Sequence, residues 1–482
     1  MKNVPIGGGT QLTTQKKKMK KKLFIFFTLF IALFAMSTSA FAQLANGTYY
    51  IKNVATGKYF AAGSSWGTHA IVDNHGIDVK LTAIQDGKYT IDTQISNGNG
   101  SGKNFLAIID GNLYTDGTTF SWTFKTTKTT DGTQAFYIQN GDKNISTQKD
   151  NIDLILSTAN DDYAKWVFIS EEDRIADLAN ASTKTGKDAT WLIKGHNFRY
   201  RDTRNDSWQG GIKLNQNAQA FAFANFNTEQ YDTDFDVNQT INVPNGKYVL
   251  EVQGYYRNGN VENSAAAHLN DTENLLAIIY ANSVEATLPS IYVDAGKVDV
   301  GITTNGINGK FPNGQDDASA FFSAGAYNLT LDPVVVSDGT LKIGVKKTEK
   351  VDKDWACFDN FRLTYYGLKV SDRATSTTSP AEVAADTWYA FDVPVAGKYT
   401  ITPSAGTIYY TQDGELFPSE ITTSTTEATL LTLAQGKLYV KASEATTITF
   451  FTYEVGTDIT NSYLNNPGFE TGDLTGWTTE NS

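Results

Sequence analysis

Apolar and polar residues alternate in short runs along most of the chain, and Gly, Asn and Asp separate the runs. Over residues 44–170 the alternation recurs three times, with a repeat of about 40 residues. Units of this size cannot bury their own apolar faces, so three of them predict one closed all-β body. The units open on Gly47–Ile51, Gly87–Ile91 and Ala135–Ile138, and they close on Val79–Leu81, Trp122–Phe124 and Trp166–Phe168.

The pattern changes after the third unit. Residues 171–186 predict a helical connector, because Ser170 can cap a helix whose first turn carries three acidic residues. Residues 187–366 return to period-two alternation with turns between the runs, which predicts a β-sandwich. The Ser/Thr-rich residues 368–379 predict a linker, and residues 380–455 predict a smaller β-sandwich. The predicted fold class is therefore all-β with one connecting helix.

The N-terminus has the three-part layout of a secretory signal. A lysine-rich cluster over 16–22 precedes the apolar run Leu23–Met36, and a small-residue cleavage pattern ends at Ala42. We expect cleavage after that residue, which places the mature chain in the periplasm, at the cell surface or in the medium. The run is shorter than the roughly 20 residues that span a bilayer, so we expect no membrane span in the mature chain. Whether the natural start is Met1 or Met19 stays open.

Charge and cysteine content exclude several classes of protein. The formal net charge is −12, and residues 1–42 hold seven lysines and no acid, so the rest of the chain has 33 basic and 52 acidic residues. A chain so acidic does not bind nucleic acid by neutralising phosphates. The single cysteine, Cys357, excludes a disulfide framework and cysteine-based metal sites. We expect the mature chain to be a monomer.

The three repeats resemble the β-trefoil, and within it the ricin-type lectin-like group. The Trp122–Phe124 and Trp166–Phe168 closings stand where that group often has Gln-x-Trp. The resemblance implies a sugar site made of an aromatic platform with Asp and Asn side chains beside it. The loop with these residue types contains Trp66, His69, Asp73 and Asn74. A metal site built from His69 and His75 is disfavoured by their six-residue spacing.

Residues 187–366 resemble the galactose-binding-like jelly-roll modules, which include many carbohydrate-binding modules of secreted polysaccharide-degrading proteins. Their ending resembles modules in exported multidomain proteins of gut Bacteroidetes. The resemblance depends on Asn245–Tyr248, Gly254–Arg257, Phe358–Leu363 and Tyr365–Gly367. The segment Asn466–Trp477 looks like the opening of another such module, so residues 460–482 predict the start of a module that the sequence does not complete.

Sugars pack on the flat faces of aromatic rings, with amides, carboxylates and arginine around them. Trp208 is a candidate because it lies in a polar loop rather than in an alternating strand. Tyr255, Tyr256 and Arg257 end a strand, and neighbouring strand residues point to opposite faces. We therefore expect one of the two tyrosines to face outward. Trp355, just before the final strand, is the remaining candidate.

The jelly-roll resemblance also implies a structural calcium ion, although no cofactor is required. In such modules the ligands include an acid in an N-terminal Phe-Glu motif and the Asp of the last strand, and Asp359 fits the second position. Arg199 stands where the acid is expected, and Coulomb repulsion disfavours a cation beside it. In the incomplete module, Glu470 keeps the motif.

From these resemblances we expect an exported, non-catalytic glycan-binding or adhesion protein whose partner is a polysaccharide or a host glycan. Two alternatives stay open. The chain could be the N-terminal part of a secreted glycoside hydrolase, with its catalytic domain outside this sequence, or a surface adhesin for protein ligands. A protease-inhibitor role ranks below them, because no loop rigidly presents Lys or Arg. Whether the chain is an enzyme is undecided: it holds 52 acidic residues, so acidic pairs are uninformative, and no nucleophile or metal motif is present.

Overall fold

A computed structural model describes residues 44–63, 67–96, 102–180, 184–216, 226–304 and 306–453. The chain divides into a short unit, Met1–Asn46, and a large unit, Gly47–Ser482, to which all the elements below belong. The described residues include no helix long and apolar enough to cross a membrane. Four predicted features lie outside the described residues: the signal region 1–42, the module start 460–482, Trp66 and Glu470.

The first body, residues 47–170, is a β-trefoil. Its strands are β1 (Gly47–Asn53), β2 (Tyr59–Gly63), β3 (His69–Asp73), β4 (Asp78–Ala83), β5 (Lys88–Asp92), β6 (Phe105–Ile109), β7 (Asn112–Gly117), β8 (Trp122–Lys128), β9 (Gln134–Asn140), β10 (Lys143–Gln148), β11 (Asn151–Ser157) and β12 (Lys165–Ser170). Six of them close into a barrel in the order β1-β4-β5-β8-β9-β12, with β12 paired back to β1. The hairpins β2–β3, β6–β7 and β10–β11 form a cap in which β3 pairs with both β7 and β11.

Two repeats of the trefoil share a hydrogen bond that ties the barrel to a cap hairpin. The Trp122 indole N–H in β8 donates to the Leu106 carbonyl at 3.0 Å, and the Trp166 indole N–H in β12 donates to the Ile145 carbonyl at 2.9 Å. Both rings are buried, where an indole N–H needs an acceptor. The first repeat closes on Val79, which has no such donor. The recurrent tryptophans of the sequence are thus core residues.

The second body, residues 187–367, is a β-sandwich of two antiparallel sheets. Its strands are β13 (Lys187–Asp188), β14 (Thr228–Tyr231), β15 (Phe235–Asn242), β16 (Gly246–Arg257), β17 (Ile278–Ala281), β18 (Val284–Thr287), β19 (Asn328–Thr330), β20 (Val334–Val336), β21 (Thr340–Lys347) and β22 (Trp355–Gly367). One sheet has the order β13-β22-β16-β19, with β14 on β22 and β20 on β16, and the other has the order β15-β21-β17-β18. Their facing sides bury Val237, Leu250, Ile279, Ile343 and Leu363.

Helices are short and few. The connector α1 (Glu171–Asn180) begins after Ser170, whose Oγ accepts the Asp173 N–H at 3.0 Å as an N-cap. Helices α2 (Val261–Leu269) and α3 (Gln315–Ser323) belong to the segment 258–327 between β16 and β19. The sequence pattern does not predict α2, because its apolar residues are mostly alanines. Single 3-10 turns span Gln85–Gly87, Asp162–Ala164, Thr190–Leu192, Thr203–Ser207 and Pro418–Glu420.

The third body, residues 368–453, is a smaller sandwich. It contains α4 (Val370–Arg373) and the strands β23 (Thr375–Thr377), β24 (Ala381–Val383), β25 (Trp388–Val393), β26 (Gly397–Pro403), β27 (Ile408–Thr411), β28 (Ser424–Thr425), β29 (Thr429–Leu433), β30 (Gly436–Ala442) and β31 (Thr446–Thr452). The sheet orders are β23-β25-β30-β27-β28 and β24-β31-β26-β29. Together the three bodies confirm the predicted all-β fold class. Residues 368–379, predicted as a linker, hold α4 and β23.

The first and second bodies meet in a contact that we call the arginine junction, formed by α1 and the loop 188–208 against the trefoil. Arg199 is 7% exposed, and its Nη2 donates to the Ala62 carbonyl at 2.5 Å, while its Nη1 donates to the Gly67 carbonyl. Gly67 has a φ of 69°, and a Cβ there would lie 3.1 Å from the Arg199 guanidinium. A side chain at this position would therefore push the two bodies apart.

Arg204 is the second buried cation of the arginine junction. Its Nε donates to Asp78 Oδ1 of the trefoil at 2.7 Å, and its Nη1 donates to Asp202 Oδ1 at 2.8 Å. Lys194 adds a third cation, 3.5 Å from Asp78 Oδ2. Burial by itself would raise the pKa of Asp78, but Arg204 and Lys194 outweigh burial and hold this pKa at about 2. The charges of the junction are therefore paired across it.

Arg174 of α1 supplies the third arginine of the arginine junction. Its guanidinium carbon lies 3.8 Å from the ring centre of Tyr59, 4.4 Å from that of Tyr50 and 4.2 Å from that of Trp191. Its Nη1 also donates to the His75 carbonyl at 2.9 Å. A guanidinium packed among aromatic rings combines cation–π attraction with apolar contact. The connecting helix is therefore part of the contact and not a free linker.

Candidate functional site

Trp208 does not present its ring to solvent, contrary to the sequence-based expectation. Its side chain is 6% exposed and lies 5.0 Å from the ring of Phe198 and 4.8 Å from that of Phe361, measured between centroids. The indole N–H donates to the Gly195 carbonyl at 3.2 Å. The polar loop folds back over the end of the sandwich, so its tryptophan closes the apolar core. Polar neighbours in sequence gave the opposite impression.

The expectation that Tyr255 or Tyr256 faces outward is wrong, because both are completely buried. Tyr256 points into the core between the sheets, and its hydroxyl donates to Asp354 Oδ2 at 2.8 Å. Tyr255 points to the other face, which segment 258–327 covers with a second apolar core. The strand alternation was correct, but this face of the sheet is covered and not solvated.

Trp355 and Arg257 are buried together under the same segment. Trp355 is 4% exposed and donates its indole N–H to Glu229 Oε2 at 2.9 Å. The Arg257 guanidinium lies 5.7 Å from the Trp355 ring centre, and its Nε donates to the Gly259 carbonyl at 3.0 Å. Neither side chain is open to a ligand in this arrangement. The expectation that they form an accessible platform is therefore also wrong.

The trefoil residues predicted to share one site lie at opposite ends of β3. His69 begins the strand and Asp73 ends it, about 13 Å apart at the usual rise per residue. The His69 ring contacts β11 and β7 instead, with its Nδ1 3.1 Å from Asp153 Oδ1 and its centroid 5.1 Å from that of Tyr114. Asp73 Oδ1 accepts the His75 N–H at 2.9 Å, which stabilises a turn.

Asn74, the next residue of the predicted trefoil site, is exposed in that turn, and the fourth predicted member, Trp66, is outside the described residues. His75 Nδ1 lies 2.9 Å from Asp188 Oδ2 of the second body, so the two histidines of this loop have separate carboxylate partners. The described residues hold no group of three His, Cys, Asp or Glu side chains that could bind a metal ion. The structure therefore does not assemble this loop into one site.

Asp359 was tested as a calcium ligand through the donors around it. The carboxyl group is completely buried, and both of its oxygens lack a hydrogen-bond partner. Burial raises the pKa of Asp359 well above its ordinary range, against the opposing charges of Arg362 and Arg199. One protonated carboxyl beside arginine does not make a set of anionic oxygen ligands. The residues present in the second body therefore do not fit calcium.

A different feature, which we call the seam cleft, combines polar groups with an aromatic ring at the surface. It lies where the loop 200–216 of the second body meets the end of the trefoil strand region at Ser96, and its volume is about 640 Å³. Ile212 and Leu214 supply half-buried apolar surface. The polar and aromatic lining includes Ser96, Tyr200, Arg201, Asp206, Lys213 and Gln216.

Backbone hydrogen bonds to the trefoil hold one wall of the seam cleft. The Ser96 N–H donates to the Arg201 carbonyl at 2.7 Å, and the Thr203 N–H donates to the Gln94 carbonyl at 3.1 Å. Arg201 has a φ of 72°, a conformation in which the chain reverses direction between Tyr200 and the following 3-10 turn. The arginine junction lies directly behind this wall, because Asp202 of the wall pairs with buried Arg204.

Tyr200 and Arg201 are the residues that the sequence-based search missed. Both are half-buried, and the Arg201 guanidinium carbon lies 5.3 Å from the Tyr200 ring centre. The signal was present as the run Arg199–Asp202, in which an aromatic residue stands among charges. It was masked by Trp208, the larger ring a few residues further on.

Two further clefts lie on the trefoil, with volumes of about 600 Å³ and 530 Å³. The first is lined by Asp131, Asp162 and Asp177 with threonines and Lys52, and the second by Leu154 and other aliphatic residues with Asn, Asp and Lys side chains. The described residues that line these clefts include no aromatic side chain. The seam cleft differs from both because it offers a ring for stacking.

No family model and no curated protein matches this chain. Among solved structures, the chain is similar to SeviL bound to asialo-GM1 saccharide, with 15% identity and a TM-score of 0.21 over 26% of this chain and 99% of that one. It is similar to a salivary protein from Culex quiquefasciatus of the Cysteine and Tryptophan-Rich family, with 16% identity and a TM-score of 0.22 over 28% and 99%. It is also similar to TmCBM61 in complex with beta-1,4-galactotriose, with 14% identity and a TM-score of 0.19 over 36% and 97%. TM-scores below 0.5 carry no argument, so the description of the fold depends on the strand pairings alone.

Proposed function

We propose that this chain is an exported, non-catalytic glycan-binding protein and that the seam cleft is its sugar site. The observation that carries the proposal is the half-buried Tyr200 ring in a cleft of about 640 Å³ that also presents carboxylate, amide, hydroxyl and guanidinium groups. An aromatic face packs on the C–H surface of a sugar, and the polar groups around it satisfy the hydroxyls. The N-terminal secretory pattern supports export, since such a pattern directs a chain out of the cytoplasm.

The fold supports this proposal only as a scaffold, because trefoils and β-sandwiches host many unrelated functions. The arrangement of the two bodies adds a more specific argument. The wall of the seam cleft is held by backbone hydrogen bonds and stands on the buried Asp202–Arg204 pair. A site on such a preorganised wall loses less conformational entropy on binding than a free loop would. The same binding role is compatible with a glycosidase domain elsewhere in a longer protein.

The test is a glycan array followed by calorimetry on the whole mature chain. Separate modules are unsuitable, because isolating either body would expose Arg199 and Arg204. We expect Tyr200→Ala to weaken binding of any glycan hit at least tenfold, as loss of a stacked ring costs about 1–3 kcal/mol in comparable base–aromatic stacking.

The matched control is Tyr453→Ala, which removes a tyrosine that is 43% exposed in the third body. This variant should bind like the parent, and both variants should keep the parent's circular dichroism and melting temperature. A glycan that binds the parent and Tyr200→Ala equally well would remove the seam cleft from the proposal. Absence of binding to any glycan would favour a protein ligand instead.

A further inference from the structure

Resting on the proposed function, we infer that the seam cleft selects acidic glycans, which carry carboxylate or sulfate groups, over neutral ones. The inference begins from the charged residues on its lining. Arg201 and Lys213 are cationic, while Asp202 and Asp206 are anionic. Only three of these four charges act on a ligand, because the fourth has a buried partner.

That fourth charge is the carboxylate of Asp202. Arg204 Nη1 lies 2.8 Å from Asp202 Oδ1, and the two side chains are 6% and 5% exposed. A buried and paired carboxylate contributes little to the field in the cleft, because the adjacent guanidinium cancels it at short range. The remaining balance at the lining is two cations, Arg201 and Lys213, against the single exposed carboxylate of Asp206.

The surroundings of Arg201 also include one further acid. Asp116 lies close enough for Arg201 and Lys103 to act on its charge. Burial nevertheless raises the pKa of Asp116 above its ordinary value, because a charged carboxylate is poorly solvated there. Asp116 has Lys103 as a second cationic neighbour, so the local excess of positive charge persists.

This local excess is significant against the whole chain, which carries 52 acids and only 33 basic residues after the signal region. An acidic protein repels an anionic polymer over most of its surface, and it can bind one only where cations are concentrated. Hydrogen-bonding capacity agrees with charge. Arg201 and Lys213 are pure donors, and the Gln216 amide and the Ser96 and Tyr200 hydroxyls can donate, whereas carboxylates and sulfates are acceptors.

The experiment compares three probes on the whole mature chain: a neutral oligosaccharide, the uronic-acid oligosaccharide of matched length, and a sulfated oligosaccharide of the neutral one. We expect one of the two acidic probes to bind about tenfold tighter than the neutral probe, and its affinity to fall as salt is raised. Which acidic probe binds identifies the source of the negative charge.

Lys213→Gln is the decisive variant, because the side chain is exposed and the substitution keeps a polar group of similar length. We expect it to weaken binding of the acidic probe about three- to fivefold, the size of a solvent-exposed charge pair, and to leave neutral-probe binding unchanged. Lys398→Gln, at an exposed lysine of the third body, is the matched control and should change neither.

The outcomes separate the two proposals. Equal binding of neutral and acidic probes, with Tyr200→Ala still abolishing both, would overturn the selectivity and leave glycan binding at the seam cleft intact. Binding that is salt-independent and unaffected by Lys213→Gln would overturn it in the same way. If no probe binds, or if Tyr200→Ala has no effect, the site itself is wrong and the selectivity falls with it.

Discussion

At the arginine junction the charged groups are buried, whereas at the contact between the α1 connector and the third body they are exposed. Arg204 and Asp202 are 6% and 5% exposed, but Lys184 and Glu420, 2.8 Å apart at the second contact, are 64% and 25% exposed. Breaking a buried pair leaves an uncompensated charge in low dielectric, while an exposed charge returns to water. The comparison indicates that the first two bodies unfold together and that the third unfolds more independently.

Loss of a buried cation should have the largest effect on this difference. We expect Arg204→Met to lower the free energy of unfolding of the first two bodies by about 3–5 kcal/mol, because Asp78 and Asp202 lose their shared partner. Calorimetry of the whole mature chain measures this as a downward shift of one transition. The transition of the third body should not move. A single transition that shifts as a whole would contradict the division.

Acid should weaken the arginine junction through His196, by an intermediate amount. Its Nδ1 is buried without a hydrogen-bond partner, and burial, with His75 and Arg199, lowers its pKa from 6.5 to about 3. The unfolded chain takes up a proton below pH 6.5 that the folded junction refuses, so this stability is complete above that pH. It is lost as the pH falls towards 3, at no more than about 1.4 kcal/mol per pH unit.

The neighbouring histidine acts in the opposite sense. Burial lowers the pKa of His75, but Asp188 outweighs burial and raises it overall, so its contribution is complete below pH 6.5 and is lost as the pH rises through the folded pKa. Urea unfolding at about pH 7 and about pH 5 should show a net loss on acidification, which His196→Gln makes smaller. An unchanged pH dependence in that variant would show that other groups cause the loss.

The smallest effect should come from the exposed contact. We expect Lys184→Gln to leave both calorimetric transitions where they are, because the lysine of this pair is largely solvated in the folded chain. It is also a charge-loss control for Arg204→Met. A shift of the third-body transition comparable to that of Arg204→Met would remove the contrast between the two contacts.

Much of the fold could be predicted from the sequence, because the relevant signals are local. The three-fold repeat of residues 44–170 predicted a closed β body, since each repeat carries its own turns and its own apolar closing residues. The N-cap at Ser170 predicted α1 for the same reason. The segment 258–327 was harder, because its apolar residues are buried by packing on a distant strand and show no clear period.

The candidate site was predicted less well than the fold. Trp208 and Trp355 carry polar neighbours in sequence, but exposure depends on what covers a side chain and not on which residues are adjacent. His69 and Asp73 are near in sequence, yet a five-residue strand holds them at opposite ends. Tyr200 received no attention, although it lies at the one cleft described that joins an aromatic ring to polar groups.

The sequence by itself determined the β architecture, the period of the trefoil, the acidic character of the chain and the secretory pattern, because each is written in neighbouring residues or in composition. Only the tertiary structure decided which aromatic rings are buried and which partners the buried arginines find. Arg199 and Arg204 contact residues more than 100 positions away, and one covering segment removes Tyr255 and Trp355 from solvent. Such long-range contacts depend on how complete surfaces fit, so no local pattern records them.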